Sequence, residues 1–460
     1  MSTVVSGSAP AFGARTALRA SREAVYRAVW RWHFYAGLLC LPFLITLSAT
    51  GSLYLFKDEI NGSLFAYRTR VPVRATPPLG PARLIFNAMQ VVPDAVPVSY
   101  ADPATPEASA LVTLAAGARK INVYLDPYTG NVLDHVARDR EFMVILRGLH
   151  SLAYFGAIAN GVIEVVAGFA VILVITGAFL WWPRGRDGGV ISVRGTPRRR
   201  VWWRDLHAVT GFLAGGGLLF LALTGLPWSI WWGQQLRGWS NAAGLGQPAA
   251  LWAHRPVSTV PLRDRLSDPG WTLEDAPVPR SDPAAPAAVT LGIDRTAAIL
   301  NQRGMPHGYE LALPVGADGV YAASVYPRDV TRQRVIALDQ YTGAPLLDVR
   351  FADVGPVGQA IQYGIGIHKG EHWGRANQLT MLAFCLATIL LAVTAAAMWW
   401  KRRPAGGLGV PVWPRDRRVV ATVTLLIAGL GALFPLTGLV ILAMLGLDLA
   451  AQSLRRRVRA

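Results

Sequence analysis

The sequence predicts a polytopic α-helical membrane protein built as two tandem repeats plus a C-terminal hydrophobic segment. Each repeat reads as a span, an outer α+β domain and a second span. Three observations predict this. First, the 460-residue chain is 52% hydrophobic and only 16% charged, with 16 tryptophans, and a soluble chain of this size carries more charge. Second, five apolar runs, roughly 32–56, 161–182, 206–232, 377–400 and 419–447, approach or exceed the ~20 residues that cross about 30 Å of hydrocarbon. Third, four histidines recur at matched offsets, and a strand–turn–strand segment occurs twice.

The elements follow in chain order. Residues 1–31 form a basic tail and 32–56 the first span. The first span is too long for a signal-peptide core and lacks a small-residue cleavage site after it. An outer domain covers 57–150, the second span 151–182, and a short basic loop 183–205. The third span covers 206–232, a second outer domain 233–370, and the fourth span 371–400. A basic loop (401–418), a segment at 419–450 that is either one span or a hairpin around Pro435, and a basic tail (451–460) complete the chain. In the outer domains, 121–134 and 334–348 both read as strand, Gly-containing turn, strand. The second repeats the first, which points to duplication.

The net charge of +17 does not point to nucleic acid. Arg15, Arg19, Arg22, Arg27 and Arg31 lie in the first tail, and further basic residues crowd the loops at 184–204 and 401–418. That placement is the positive-inside pattern of a lipid-embedded protein. It puts the N-terminus in the cytoplasm and the outer domains, in a bacterial cell, in the periplasm of the inner membrane. The two cysteines, Cys40 and Cys385, fall inside spans and read as apolar packing, with no disulfide framework.

The histidines carry the chemistry. His33 and His207 each precede a Thr-Gly pair by 17 residues. His150 and His368 each precede a threonine (Thr176, Thr394) by 26 residues and a Trp-Trp pair by 31. Histidine near hydrocarbon is costly and marks a site. His33 and His207 open the two outward spans near the cytoplasmic face, where twofold packing would bring them together. Neutral imidazoles on facing helices are a usual way for a bundle to hold haem iron. His150 and His368 precede the two inward spans near the outer face. Two bis-histidine b haems, one near each surface, would make an electron path across the bilayer. No Cys-x-x-Cys-His occurs to attach haem covalently.

His372, four residues after His368, would share a helix face with it and is the competing ligand. His135, His254 and His307 have no matched partner and read as surface residues. The Thr-Gly pairs read as small residues for close helix or macrocycle approach, and the Trp pairs as interfacial belts. Glu164 inside a span needs a partner, whether an arginine, a ligating imidazole or a proton path. No phosphate-binding loop, dinucleotide fingerprint or catalytic triad spacing occurs, so a cytoplasmic-side electron donor would be another protein.

Arg31-Trp32-His33, Leu149-His150, Trp181-Trp182-Pro183-Arg184, Arg204-Asp205-Leu206-His207, Thr224-Gly225-Leu226-Pro227-Trp228, His368-Lys369-Gly370 with Trp373-Gly374, and 398–404 together resemble the PepSY-associated transmembrane, or iron-regulated membrane protein, family. The two Asp-x-Tyr-Thr-Gly turns match its PepSY domain. Ala395 stands where the family pattern has glycine, and His372 is an added histidine. The resemblance implies haem binding and reduction of ferric siderophores, Fe(III) to Fe(II), outside the inner membrane. Reduction loosens hard oxygen ligands from the iron. The expected function is thus a dihaem ferric reductase for iron uptake. The alternatives are a haem-free PepSY sensor or regulator, and a metal permease.

Overall fold

The computed structural model describes residues 9–183, 188–253, 255–282, 289–405 and 407–459; Arg184 and His254 fall outside them. In chain order the helices are α1 (Ala9–Tyr54), α2 (Lys57–Asn61), α3 (Ala66–Thr69), α4 (Pro81–Met89), α5 (Phe142–His150), α6 (Ala157–Trp181), α7 (Arg200–Gly225), α8 (Ile230–Ala242), α9 (Ile293–Gln302), α10 (Pro356–His368), α11 (Gly374–Arg402), α12 (Arg417–Leu433) and α13 (Pro435–Arg459). The strands are β1 (Val96–Ala101), β2 (Ala110–Ala116), β3 (Arg119–Leu125), β4 (Val132–Ala137), β5 (Val257–Pro261), β6 (Pro277–Pro279), β7 (Glu310–Ala312), β8 (Val320–Val325), β9 (Arg334–Asp339) and β10 (Pro345–Arg350). They fall into two compact units. One comprises Met1–Ser52, Leu149–Trp232 and Leu382–Ala460, the other Leu53–Gly148 and Gly233–Met381.

The first unit is helical. Four helices are long and apolar enough to cross a membrane: Ser21–Tyr54, Ala157–Trp181, Arg200–Trp228 and Gly374–Arg402. At 1.5 Å per residue even the shortest reaches about 37 Å. Close approach is made possible by missing side chains. A Cβ on Gly217 would fall 2.2 Å from the Phe384 ring, and one on Gly168 would fall 2.2 Å from the Thr437 hydroxyl. Among the described residues, Trp32, Ala36, Cys40, Phe169 and Ile172 form the buried core of this unit with Val423, Ile427 and Ile441.

The C-terminal segment is a hairpin. Pro435 cannot extend α12 because it lacks an N–H, and it instead opens α13 at a position where none is needed. Gly431 and Gly438 then meet, a Cβ on the first lying 2.9 Å from the Cα of the second. The far ends meet as well, since the Trp413 indole N–H donates to Asp448 at 2.9 Å. Asp448 also takes a 2.6 Å bond from Arg31, whose guanidinium lies over the Trp413 ring.

The second unit corrects the expectation of two separate outer α+β domains. Its long strands form one antiparallel sheet, ordered β10-β9-β8-β7-β1-β2-β3-β4. The two halves join where β1 pairs with β7 through Ser99↔Ala312, Tyr100↔Leu311 and Ala101↔Glu310. Helices α4 and α9 cover one face, burying Leu84, Leu300, Leu114, Val123, Tyr309 and Ile336 in one core. The other face differs between halves. Under β8 and β9 it is apolar, packed with Leu262, Leu266 and Leu273. Under β2 and β3 it is polar: Thr113 bonds Asn122, which with Tyr124 bonds Glu141, itself paired with Arg68 at 2.7 Å.

The two Asp-x-Tyr-Thr-Gly turns are built alike. Asp126 Oδ1 accepts from the amides of Tyr128 and Thr129, and Asp339 Oδ1 from those of Tyr341 and Thr342. Gly130 and Gly343 sit at φ of 73° and 72°, a left-handed conformation that glycine adopts without strain.

The seam between the halves makes β1 and β7 central strands. Hydrogen–deuterium exchange should therefore find peptides 96–101 and 310–312 exchanging much more slowly than the outer strands β4 and β10. Fast exchange at both β1 and β7 would mean that the halves are separate sheets.

Candidate cofactor site in the helical unit

His33 on α1 and His207 on α7 come together as the sequence predicts. Their ring centres lie 6.3 Å apart with planes at 84°. Each ring is held through Nδ1. His33 Nδ1 is 2.9 Å from Thr176 Oγ1 on α6. His207 Nδ1 is 2.9 Å from Thr394 Oγ1 and 3.1 Å from the Leu391 carbonyl, both on α11. The proton positions follow from these partners. Thr176 donates its own hydroxyl proton to the Ile172 carbonyl, and Thr394 donates to the carbonyls of Leu390 and Leu391. Each threonine oxygen therefore accepts from the imidazole, and the Leu391 carbonyl can only accept. Both Nδ1 atoms carry hydrogen, and the Nε2 lone pairs are left available for a metal.

The donor set fits haem iron. Two imidazoles on one axis through an iron put their ring centres about 6 Å apart, from metal–nitrogen bonds of about 2 Å and ~1 Å from nitrogen to ring centre. Among the described residues no group of three or more His, Cys, Asp or Glu side chains gathers to hold an ion. Two axial imidazoles alone suit an iron whose other four bonds come from a macrocycle. Both rings remain only half-buried by protein. A small residue borders the pair: a Cβ on Gly177 would lie 3.3 Å from His33 Cε1.

The ends of these helices are pinned by charge. Asp205, two residues before His207 and fully buried, accepts 2.8 Å bonds from Arg194 Nε and Arg204 Nε. A carboxylate buried there needs such partners. Arg402 at the end of α11 lies 4.8 Å from the rings of both Trp30 and Phe34. The first tryptophan of the pairs that close α6 and α11 does more than sit at an interface. Trp181 Nε1 donates to the Val190 carbonyl and Trp399 Nε1 to the Leu408 carbonyl, each nine residues on.

His150 and His368 belong to different compact units. His150 repeats the arrangement of the first pair. Its Nδ1 is 3.0 Å from Thr50 Oγ1, which donates to the Thr46 carbonyl at 2.6 Å. Gly51 approaches its Cε1 as Gly177 approaches that of His33. Desolvation lowers the His150 pKa, with the Leu47 carbonyl opposing. His368 is the last residue of α10. His372 does not share its helix face, because Gly370 turns the chain at φ 73° and α11 starts only at Gly374. The His372 ring packs 4.9 Å from Tyr363 and 5.1 Å from Trp373, and its Nδ1 is buried with no hydrogen-bond partner among the described residues. His135 is exposed, and His307, also exposed, bonds Asp102 at 2.7 Å.

The family described as the PepSY-associated TM region matches residues 30–402. This chain belongs to that family. No curated protein matches it. The family region takes in all four candidate spans' apolar cores and every candidate ligand, and leaves the α12–α13 hairpin outside.

Sequence reasoning missed the threonines of this PepSY-associated chain as functional residues. Thr50, Thr176 and Thr394 read in the sequence as repeat markers, the first two beside glycine and the third beside Ala395, whereas their hydroxyls orient imidazoles. The signal was present in the repeat, but each threonine serves a histidine of another helix. Glu164 is fully buried, and its Oε2 accepts from the Trp231 amide in the first turn of α8 at 2.9 Å. Its Oε2 partners a helix N-terminus, a favourable place for negative charge, and among the described residues neither oxygen pairs with an arginine or an imidazole.

Near His372, Glu371 is bound by Lys57 at 2.5 Å and Lys369 at 3.1 Å. Burial alone would raise the Glu371 pKa, but Lys369 and Lys57 outweigh it and hold it below the usual carboxylate value. Burial likewise opposes the Lys57 charge, and Glu371 and Tyr54 overcome it to leave that pKa raised.

Two predictions follow from these contacts. Thr176→Val strands the His33 N–H, which at about 1–3 kcal/mol for a buried unpaired donor should lower the melting temperature more than Thr394→Val, where the Leu391 carbonyl remains. Equal losses would count against the assigned proton positions. Because the folded pKa of Glu371 is depressed, its contribution is present above the ordinary carboxylate range and lost as pH falls through the lowered value. Glu371→Gln should therefore lower the melting temperature at pH 7, with the gap to wild type closing at acidic pH. A gap that persists unchanged at acidic pH would contradict this.

Proposed function

We propose that this membrane protein is a dihaem electron carrier of the bacterial inner membrane. In this reading it takes electrons from an unidentified cytoplasmic-side donor. It passes them to ferric iron held by a siderophore, or to another acceptor, on the periplasmic side. The observation that carries the reading is the His33–His207 pair, with both Nδ1 hydrogens engaged and both Nε2 lone pairs available. His33 and His207 would hold the iron of one haem b through their Nε2 atoms. Haem, when bound, supplies reversible one-electron chemistry at its iron.

The chain's own residues do the rest. Thr176, Thr394 and the Leu391 carbonyl lock ring orientation and tautomer, and a hydrogen bond at Nδ1 raises the basicity of Nε2 as a ligand. The apolar span surroundings exclude water. The second haem, on His150 and His368, rests on their shared offsets of 26 and 31 residues; the Thr50 contact to His150 supports it. The two like-built turns and the mirrored strand orders on either side of β1–β7 support descent from a tandem duplication. The cytoplasmic placement of the N-terminus is supported by the basic loops and by Arg402 lying over Trp30 and Phe34.

A pyridine haemochrome assay on protein from haem-replete cells tests this reading. About two haems per chain are expected in wild type and about one in His33→Ala or His207→Ala. Colourless wild-type protein would leave the sensor and permease readings instead. One haem per chain in wild type would remove the second site.

A further inference from the structure

The sheet-bearing unit contains a cleft of 280 Å³ at the seam of its two halves. Lys120, Arg138, Arg263 and Arg265 line it together with Ser99 and Glu310. Two features mark it as more than a surface irregularity. The β1–β2 register slips between Pro97 and Ser99, so Val98, on the cleft wall, is a bulge. Bulges re-aim side chains and concentrate next to sites. The cleft also lies where the lower face of the sheet changes from the Leu262–Leu266 apolar layer to the polar layer around Asn122.

The charges are not self-cancelling. Glu310 is fully engaged, accepting from the Ser99 hydroxyl at 2.9 Å and from the amide and hydroxyl of Ser267 at 2.7 and 2.9 Å. Arg138 donates to the Ser267 hydroxyl at 2.8 Å, and Arg263 pairs with Asp275 and, at 4.0 Å, with the lining residue Asp264. Lys120 and Arg265 have no acidic partner among the described residues. Two cations without an acidic partner, facing one cleft whose carboxylate Glu310 is already satisfied by Ser99 and Ser267, are a recognition pattern for oxyanions. A cleft of this volume holds several waters, so a single phosphate would leave much of it unfilled.

We propose that this cleft binds a small organic polycarboxylate, with Lys120 and Arg265 each taking one carboxylate. Binding here requires no haem, so its success or failure is separate from the electron-transfer reading. The test is calorimetric titration of the full-length protein with citrate, with inorganic phosphate as the second arm. Saturable citrate binding is expected, weaker for phosphate and weakened by added salt. Arg265→Gln and Lys120→Gln should each raise Kd about tenfold, while Arg119→Gln, on the same strand as Lys120 but outside the cleft, should not. Melting temperatures of all variants report whether they fold. Absence of saturable citrate binding, phosphate binding as tight as citrate, or equal losses in folded Arg119→Gln would overturn the proposal.

Discussion

An imidazole placed inside a membrane span has to hand its N–H to an acceptor, because no water is there to take it. The helical unit is organised around that requirement. Threonine is the residue that meets it at low cost. Its hydroxyl proton is already committed to a carbonyl one turn back on its own helix, so its oxygen is left free to accept. His33 and His207, on α1 and α7, use this device, and His150 at the end of the short helix α5 uses it as well. The partner in each case comes from a helix distant in sequence, so the bond that orients the ring also ties two helices together. An imidazole set in this way has its tautomer fixed by the protein.

The sheet unit obeys a related rule. Exposed strand edges invite pairing with anything that offers a backbone. Had each repeat kept its own four-stranded sheet, β1 and β7 would both be open edges. Pairing them with each other removes both and lets α4 and α9 share one continuous core. The cost is an asymmetric lower face. One half is sealed by the segment around Leu262 and Leu273. The other is filled by the Arg68–Glu141 pair and its hydrogen bonds. The junction of two such unlike layers cannot pack as tightly as either.

Much of this was legible in the sequence. Hydropathy marks the spans because an all-apolar run has few other uses, and the histidine offsets mark the ligand candidates because both repeats keep them. The strand–turn–strand segments were readable from the Asp-x-Tyr-Thr-Gly pattern, whose bonding is local. The merged sheet was not, since alternation tells which face a residue takes and not which strand it pairs with. The helix break at Pro435 was visible as one of two options, and only the Gly431–Gly438 approach and the Asp448 contacts decide between them. The threonine acceptors were hidden because small residues beside them, Gly51, Gly177 and Ala395, suggested packing. His372 was misplaced because spacing of four implies a shared face only while the helix continues, and Gly370 ends it.

The Arg31–Asp448 bond has a consequence for biogenesis. Its partners are 417 residues apart, and translation at about 5–20 residues per second separates them by roughly 20 to 80 s. Throughout that interval the first span is already made while the guanidinium that ends up 5% exposed has no aspartate. It must be solvated by water or lipid phosphate until the hairpin arrives. Closure of the bundle is therefore a late event, and a ribosome stalled before residue 448 would hold a helical unit with its first helix charged and unanchored.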